Sequence, residues 1–172
     1  MKKTAFILLI TCLFSVVAEA QKGNRQALLD SLQAKVSTLT EDSLKLNILV
    51  KLGNMYTQES IPKSILYSEQ ALVIAKKLQK KDTISTLSYL LGNLYHVEGN
   101  DSAAVRHYQV SLALEKEGGD KESIGTVLNN LGATFQSLSN YPRALECLFS
   151  ALIHFEEARK VATPGSIIGI KA

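Results

Sequence analysis

Leu91-Gly92-Asn93-Leu94-Tyr95 decides the fold of this 172-residue chain, because the same residue types recur on both sides of it. Leu52-Gly53-Asn54-Met55-Tyr56 stands upstream and Leu131-Gly132-Ala133-Thr134-Phe135 downstream, so the three glycines are 39 and 40 residues apart. Each lies inside an apolar pattern of helical period, where glycine costs roughly 1 kcal/mol relative to alanine. Three at one phase, each after Leu and three positions before Tyr or Phe, predict a repeated unit in which a second helix approaches the backbone closely. A second register has the same period. Ser64, Ala104 and Ala144 follow the glycines by about a dozen residues, and Ala71, Ser111 and Ala151 come seven later. The first helix of each unit then offers a notch, and the second meets it with a stripe of small residues.

In this arrangement the chain resembles the tetratricopeptide repeat family, whose helix hairpins carry a large residue, Leu-Gly, Tyr, and then a spaced small, aromatic, small set. The second repeat supplies Leu91, Gly92, Tyr95, Ala104, Tyr108 and Ser111, and the third Leu128, Leu131, Gly132, Phe135, Ala144, Leu148 and Ala151. In the first, Leu49, Leu52, Gly53, Tyr56 and Ala71 fit, while Ser64 and Ser68 stand at the small and large positions of the second helix. The period of about 40 exceeds the family's usual 34 and is similar to the longer variety in extracytoplasmic regions of bacterial sensor kinases and in kinesin light chains. The resemblance implies an all-α fold, a right-handed superhelical solenoid of antiparallel helix hairpins, with a protein or peptide as partner and no cofactor.

The start of the chain reads as an address. Lys2 and Lys3, the apolar run Phe6 to Ala18, and Ala18-Glu19-Ala20 before Gln21 form a secretory signal peptide over residues 1–20. The run is short for a membrane span, which needs about 20 apolar residues. The expected product is therefore an exported chain, periplasmic or extracellular, without stable membrane insertion after cleavage. Cys147 is then its one remaining thiol, which excludes an internal disulfide. Seventeen Lys and Arg against 15 acids in the remainder leave a charge too slight to argue for nucleic acid.

Residues 21–39 read as a capping helix with Leu28, Leu29, Leu32 and Val36 on one face. Three hairpins follow, at about 40–79, 80–118 and 119–160, and residues 161–172 read as an incomplete fourth repeat or a disordered tail. Within the hairpins, Pro62 suits a first helical turn and Asp82 is the expected cap of the next helix. Gly99-Asn100-Asp101, Gly118-Gly119-Asp120 and Asn140-Tyr141-Pro142 mark turns.

No motif for catalysis is present: the chain lacks a Gly-x-Ser-x-Gly elbow, a phosphate-binding loop, a zincin helix and Cys-x-x-Cys. His96, His107 and His154 include no i, i+4 pair, so no metal site is expected; a facing His96 and His107 would be the place for one. The expected function is non-catalytic binding on the concave wall of first helices. Its candidates are Asn47, Val50, Asn54 and Thr57; Thr86, Tyr89, Asn93 and His96; and Thr126, Asn129, Ala133 and Gln136. Asn and Gln pair with a peptide backbone and Tyr89 offers apolar contact, although a merely solvated face would carry similar residues. The family's carboxylate clamp keeps only Asn54 here, its other positions holding Val50, Leu90, Thr126 and Asn130. Two readings remain open: a sensor-region module of a signalling protein, or a stand-alone structural adaptor of envelope complexes.

Overall fold

The structure is a computed structural model that describes residues 21 and 23–162. Among the described residues there are seven helices and no strand: α1 (23–38), α2 (Asp42–Tyr56), α3 (Ile61–Lys77), α4 (Lys81–Val97), α5 (Asp101–Gly118), α6 (Lys121–Ser137) and α7 (Tyr141–Ala162). They form an all-α helical solenoid. The signal peptide expected at 1–20 and the expected tail from residue 163 lie outside the described residues, while Val161 and Ala162 continue α7.

A twenty-residue beat in the backbone chemistry cuts the chain into helices. Gln79, Gly99, Gly119 and Ser139 all have positive φ, between 54° and 81°, just beyond a helix end. At three of these ends the amide two residues past the last turn reaches back to satisfy an orphan carbonyl: Lys80 to Ala75, Asn100 to Tyr95 and Asn140 to Phe135, at 2.8–3.0 Å. The next residue caps the following helix. Asn100 accepts from the Ala103 amide, and Asp120 from the Glu122 and Ser123 amides. Asp82 is not a cap: Lys80 occupies that position without a side-chain bond, and Asp82 sits in the first turn, where its charge suits the helix dipole. Loops this short make neighbours antiparallel, and packing runs α2 on α3, α3 on α4, and so on to α7. No described helix is long and apolar enough to cross a membrane.

The glycine notches sit where two rods of one hairpin touch. Gly53, Gly92 and Gly132 are buried. A Cβ at Gly92 would lie 2.6 Å from the Tyr108 ring, one at Gly132 2.8 Å from Leu148 Cγ, and one at Gly53 2.6 Å from Ser68 Oγ. The intruding residues Ser68, Tyr108 and Leu148 are themselves 40 apart. A further notch, absent from the sequence reading, is Gly125, against which Phe155 packs. Around these crossings Leu49, Leu52 and Leu91 are fully buried, as are Ala71 and Ala104, and each buried Leu contributes about 1.5–3 kcal/mol.

At the open end of each hairpin an ion pair joins the start of one helix to the end of the other: Asp42 with Lys77, Lys81 with Glu117, and Lys121 with Glu157 at 3.0 Å. The first pair suits both helix dipoles and the other two reverse it. All lie at the surface, where solvent and salt screen them, so they add little to stability. The leading helix α1 is fastened differently. Leu29 and Leu32 are buried with Leu52 and Tyr56, and the Gln33 amide donates to both the Tyr56 and Tyr67 hydroxyls, whose rings stack at 5.6 Å.

The two kinds of notch respond differently to a methyl group. Gly92→Ala forces a ring that is buried and tethered through its hydroxyl to move, and is expected to lower stability by about 1–3 kcal/mol despite the gain in helix propensity. Gly53→Ala meets only a rotatable hydroxyl, with the next atom 3.5 Å away, and is expected to be neutral or stabilising by up to about 1 kcal/mol. Urea unfolding of the two variants measures both, and a loss for Gly53→Ala equal to that for Gly92→Ala would refute this account of the notch.

Candidate functional site

The first helix of each hairpin presents a polar row between its buried positions, and the structure treats the three rows unequally. In the first hairpin, Asn47 and Asn54 are exposed, Val50 and Thr57 half-buried. All four line one open groove of about 710 Å³, together with Leu28 from α1 and Arg25, Lys51, Met55 and Gln58. Arg25 is spoken for, since it donates to the Met55 carbonyl and pairs with Glu59 at 2.6 Å. Lys51 is exposed beside Asn47 and Asn54. The groove thus offers amide donors and acceptors and a lysine ammonium over an apolar floor of Leu28, Val50 and Met55.

In the second hairpin the row turns inward. Tyr108 donates to Asn93 Oδ1 at 2.6 Å, and Asn130 Nδ2 donates to the same oxygen and to the Tyr89 hydroxyl, both at 3.0 Å. The Asn93 oxygen is therefore engaged twice from within, and the notch-filling Tyr108 is locked to the row. Burial holds the Tyr108 hydroxyl far above its ordinary pKa, so it stays a donor. His96 is tied to Asp101 through Nδ1 at 2.6 Å. The His107 ring stacks on Tyr95 at 5.4 Å. Among the described residues no group of three His, Cys, Asp or Glu side chains is placed to hold a metal ion.

Thr86, Tyr89 and Thr126 come together across the junction of the second and third hairpins. They line a cleft of about 360 Å³ with Ser111, Glu115, Asp120 and Glu122. Two of its three carboxylates have structural partners: Glu115 accepts from Ser85 at 2.5 Å and Asp120 caps α6. Hydrogen bonding to Ser123 lowers the Asp120 pKa below its ordinary value. Asn129, Ala133 and Gln136 are exposed on α6 and line neither cavity.

Sequence reasoning missed Lys51 and Asn130. Lys51 belongs to the row by helical spacing, four positions after Asn47 and three before Asn54, and was legible as a cation beside them. Asn130 was not, because its partners Tyr89 and Asn93 lie 41 and 37 residues earlier and meet it only once the hairpins stack.

The half-buried His107 supplies a pH signature. Burial lowers its pKa below 6.5, opposed by Glu69 and assisted by Arg106 and Lys76. The unfolded chain therefore binds the proton more readily, and stability falls as pH drops through 6.5 until the lower folded-state value is passed. His107→Phe, which keeps a ring against Tyr95, is expected to lose part of the Tm decrease that wild type shows between neutral and mildly acidic pH. Identical pH profiles for both proteins by circular dichroism would count against this assignment.

Comparison with known proteins agrees with the architecture. Residues 86–122 match the tetratricopeptide repeat family, a span that covers most of α4, all of α5 and the start of α6. No curated protein sequence matches the chain. Solved structures of similar fold include BtubC (BKLC) from P. vanneervenii, 22% identical with a TM-score of 0.61 over 82% of this chain and 58% of that one. The TPR domain of Arabidopsis FLU is 16% identical, TM-score 0.63, over 68% of this chain and 99% of that domain. Rap protein complexed with competence and sporulation factor is 20% identical, TM-score 0.62, over 83% and 42%. The chain thus spans less than two thirds of the length of BtubC and of the Rap protein. These likenesses show a TPR-like helical repeat fold.

Proposed function

We propose that the chain is a non-catalytic module that binds a protein or peptide along the polar row of α2 and across to α4 and α6. The observation that carries this reading is the groove on the first hairpin, where Asn47, Asn54, Gln58 and Lys51 stand exposed over Leu28, Val50 and Met55. Side-chain amides at helical spacing match the alternating donors and acceptors of an extended backbone, and the apolar floor takes a side chain. Lys51 selects a segment with an acidic group at that end. The Rap protein of similar fold is complexed with competence and sporulation factor, which supports ligand capture by such a scaffold. Asn93 and His96, drawn into internal bonds, serve as buttresses of the wall and not as ligand contacts.

An arrayed library of short peptides is the direct test. Wild type is expected to select acidic segments, and Asn47→Ala with Asn54→Ala and Lys51→Glu to lose binding by about tenfold or more. Retention of the same peptides at equal strength by the triple variant would sink the groove as the binding surface.

Export completes the proposal. The basic start, apolar run and small-x-small site of residues 1–20 support delivery beyond the inner membrane, in the setting of a signalling protein's sensor region or of an envelope adaptor. Amino-terminal sequencing of protein recovered from a secreting host is expected to begin at Gln21, and a sequence beginning at Met1 would refute cleavage there.

A further inference from the structure

Helix α7 is apolar on a side that no other described helix covers. Tyr141, Leu145, Phe149, Leu152 and Ile153 are each more than half exposed, Phe149 at 64%. Repeat phase identifies what part of this side is for. The residues 40 and 80 positions before Leu145 are Val105 and Ile65, and those before Leu152 are Leu112 and Leu72. Ile65 and Leu72 are buried, at 8% and 6%, and Val105 and Leu112 are half-buried against the neighbouring core. The same stripe on α3 and α5 is thus the seam on which the first helix of the following hairpin lies, whereas on α7 it is bare.

The occupant that fits is a second copy of this chain, and we infer that α7 pairs antiparallel with α7 of another molecule about a two-fold axis near Phe149. The positions equivalent to Phe149 are Glu69 and Gln109. At the first of these, Glu69 accepts a hydrogen bond from Tyr95 of the next hairpin, so an ordinary hairpin meets this position with a polar group. Phe149 asks instead for an apolar counterpart, which Phe149 of a second copy supplies. Such a two-fold also sets Leu145 against the region of Ile153, apolar on apolar, and leaves Glu146, Glu156 and Lys160 toward the rim. The exposed apolar area is on the order of 600 Å² per chain, so two faces supply about 1,200 Å², the lower bound of specific complexes. A patch of about 600 Å² lies at the upper end of the largest apolar patches that monomers carry, and such patches are often functional.

Sedimentation velocity of the full chain over a range of concentrations tests this. Wild type is expected to run as a dimer that dissociates on dilution. Phe149→Lys combined with Leu145→Glu is expected to run as a monomer with unchanged helical circular dichroism, since both positions face solvent within one molecule. Deletion of residues 163–172 is expected to leave the dimer intact. A wild type that is monomeric at every concentration overturns the inference. So does a dimer that survives the double substitution, or one that forms only after the deletion, which would make the chain's own last residues the cover.

Discussion

The structure depends on how closely two helices of one hairpin approach at a single point. At Gly92 the backbone of α4 lies against the face of the Tyr108 ring, with no room for one more carbon. That contact sets the distance between the two rods, and the distance sets what the remaining positions hold. Tyr108 fills the notch and still reaches Asn93 with its hydroxyl; Ala104, four residues earlier, is small enough to be fully buried beside it. The glycine gives up about 1 kcal/mol of helix propensity and in return brings the facing side chains into contact along the hairpin.

Equivalent positions meet this geometry with different chemistry. One turn or two from the notch, Leu46 and Ala75 share the first core cluster, Ser85 donates to Glu115 in the second hairpin, and Gly125 admits Phe155 in the third. A large residue on one helix is matched by a small one on the other, or both are polar and bonded, so the spacing survives while the chemistry changes. The first hairpin departs most. With Ser68 where Tyr108 and Leu148 fill the other notches, its hydroxyl is buried without a hydrogen-bond partner, and compensation comes from outside, through the Tyr56 and Tyr67 stack and the Gln33 bridge from α1.

These differences shape the candidate surface. Where a tyrosine fills the notch, its hydroxyl engages Asn93, and with Asn130 it turns the polar row of the second hairpin into a brace between repeats. Where a serine fills it, no such brace forms, and Asn47 and Asn54 remain free to face the groove beside Lys51. The proposed ligand surface therefore falls on the hairpin that fits the repeat pattern least well. The half-buried thiol of Cys147 is a packing group between the last two core clusters, with partial burial raising its pKa.

The sequence by itself determined the all-α class, the period, the hairpins and the glycines that face a sister helix, because burial on one side of a helix writes a one-dimensional signal every three or four residues. It also placed the polar row, since exposed positions follow from the buried ones by the same spacing. Only the tertiary structure decided which members of that row are free. Asn93 and Asn129 look alike in the chain, yet one is bound from two sides and the other is exposed, because hydrogen bonds between residues 37 apart depend on how one hairpin is set against the next. The bare stripe of α7 has the same origin: Leu145 and Leu152 read as core by phase, and what makes them surface is that no described helix lies on them.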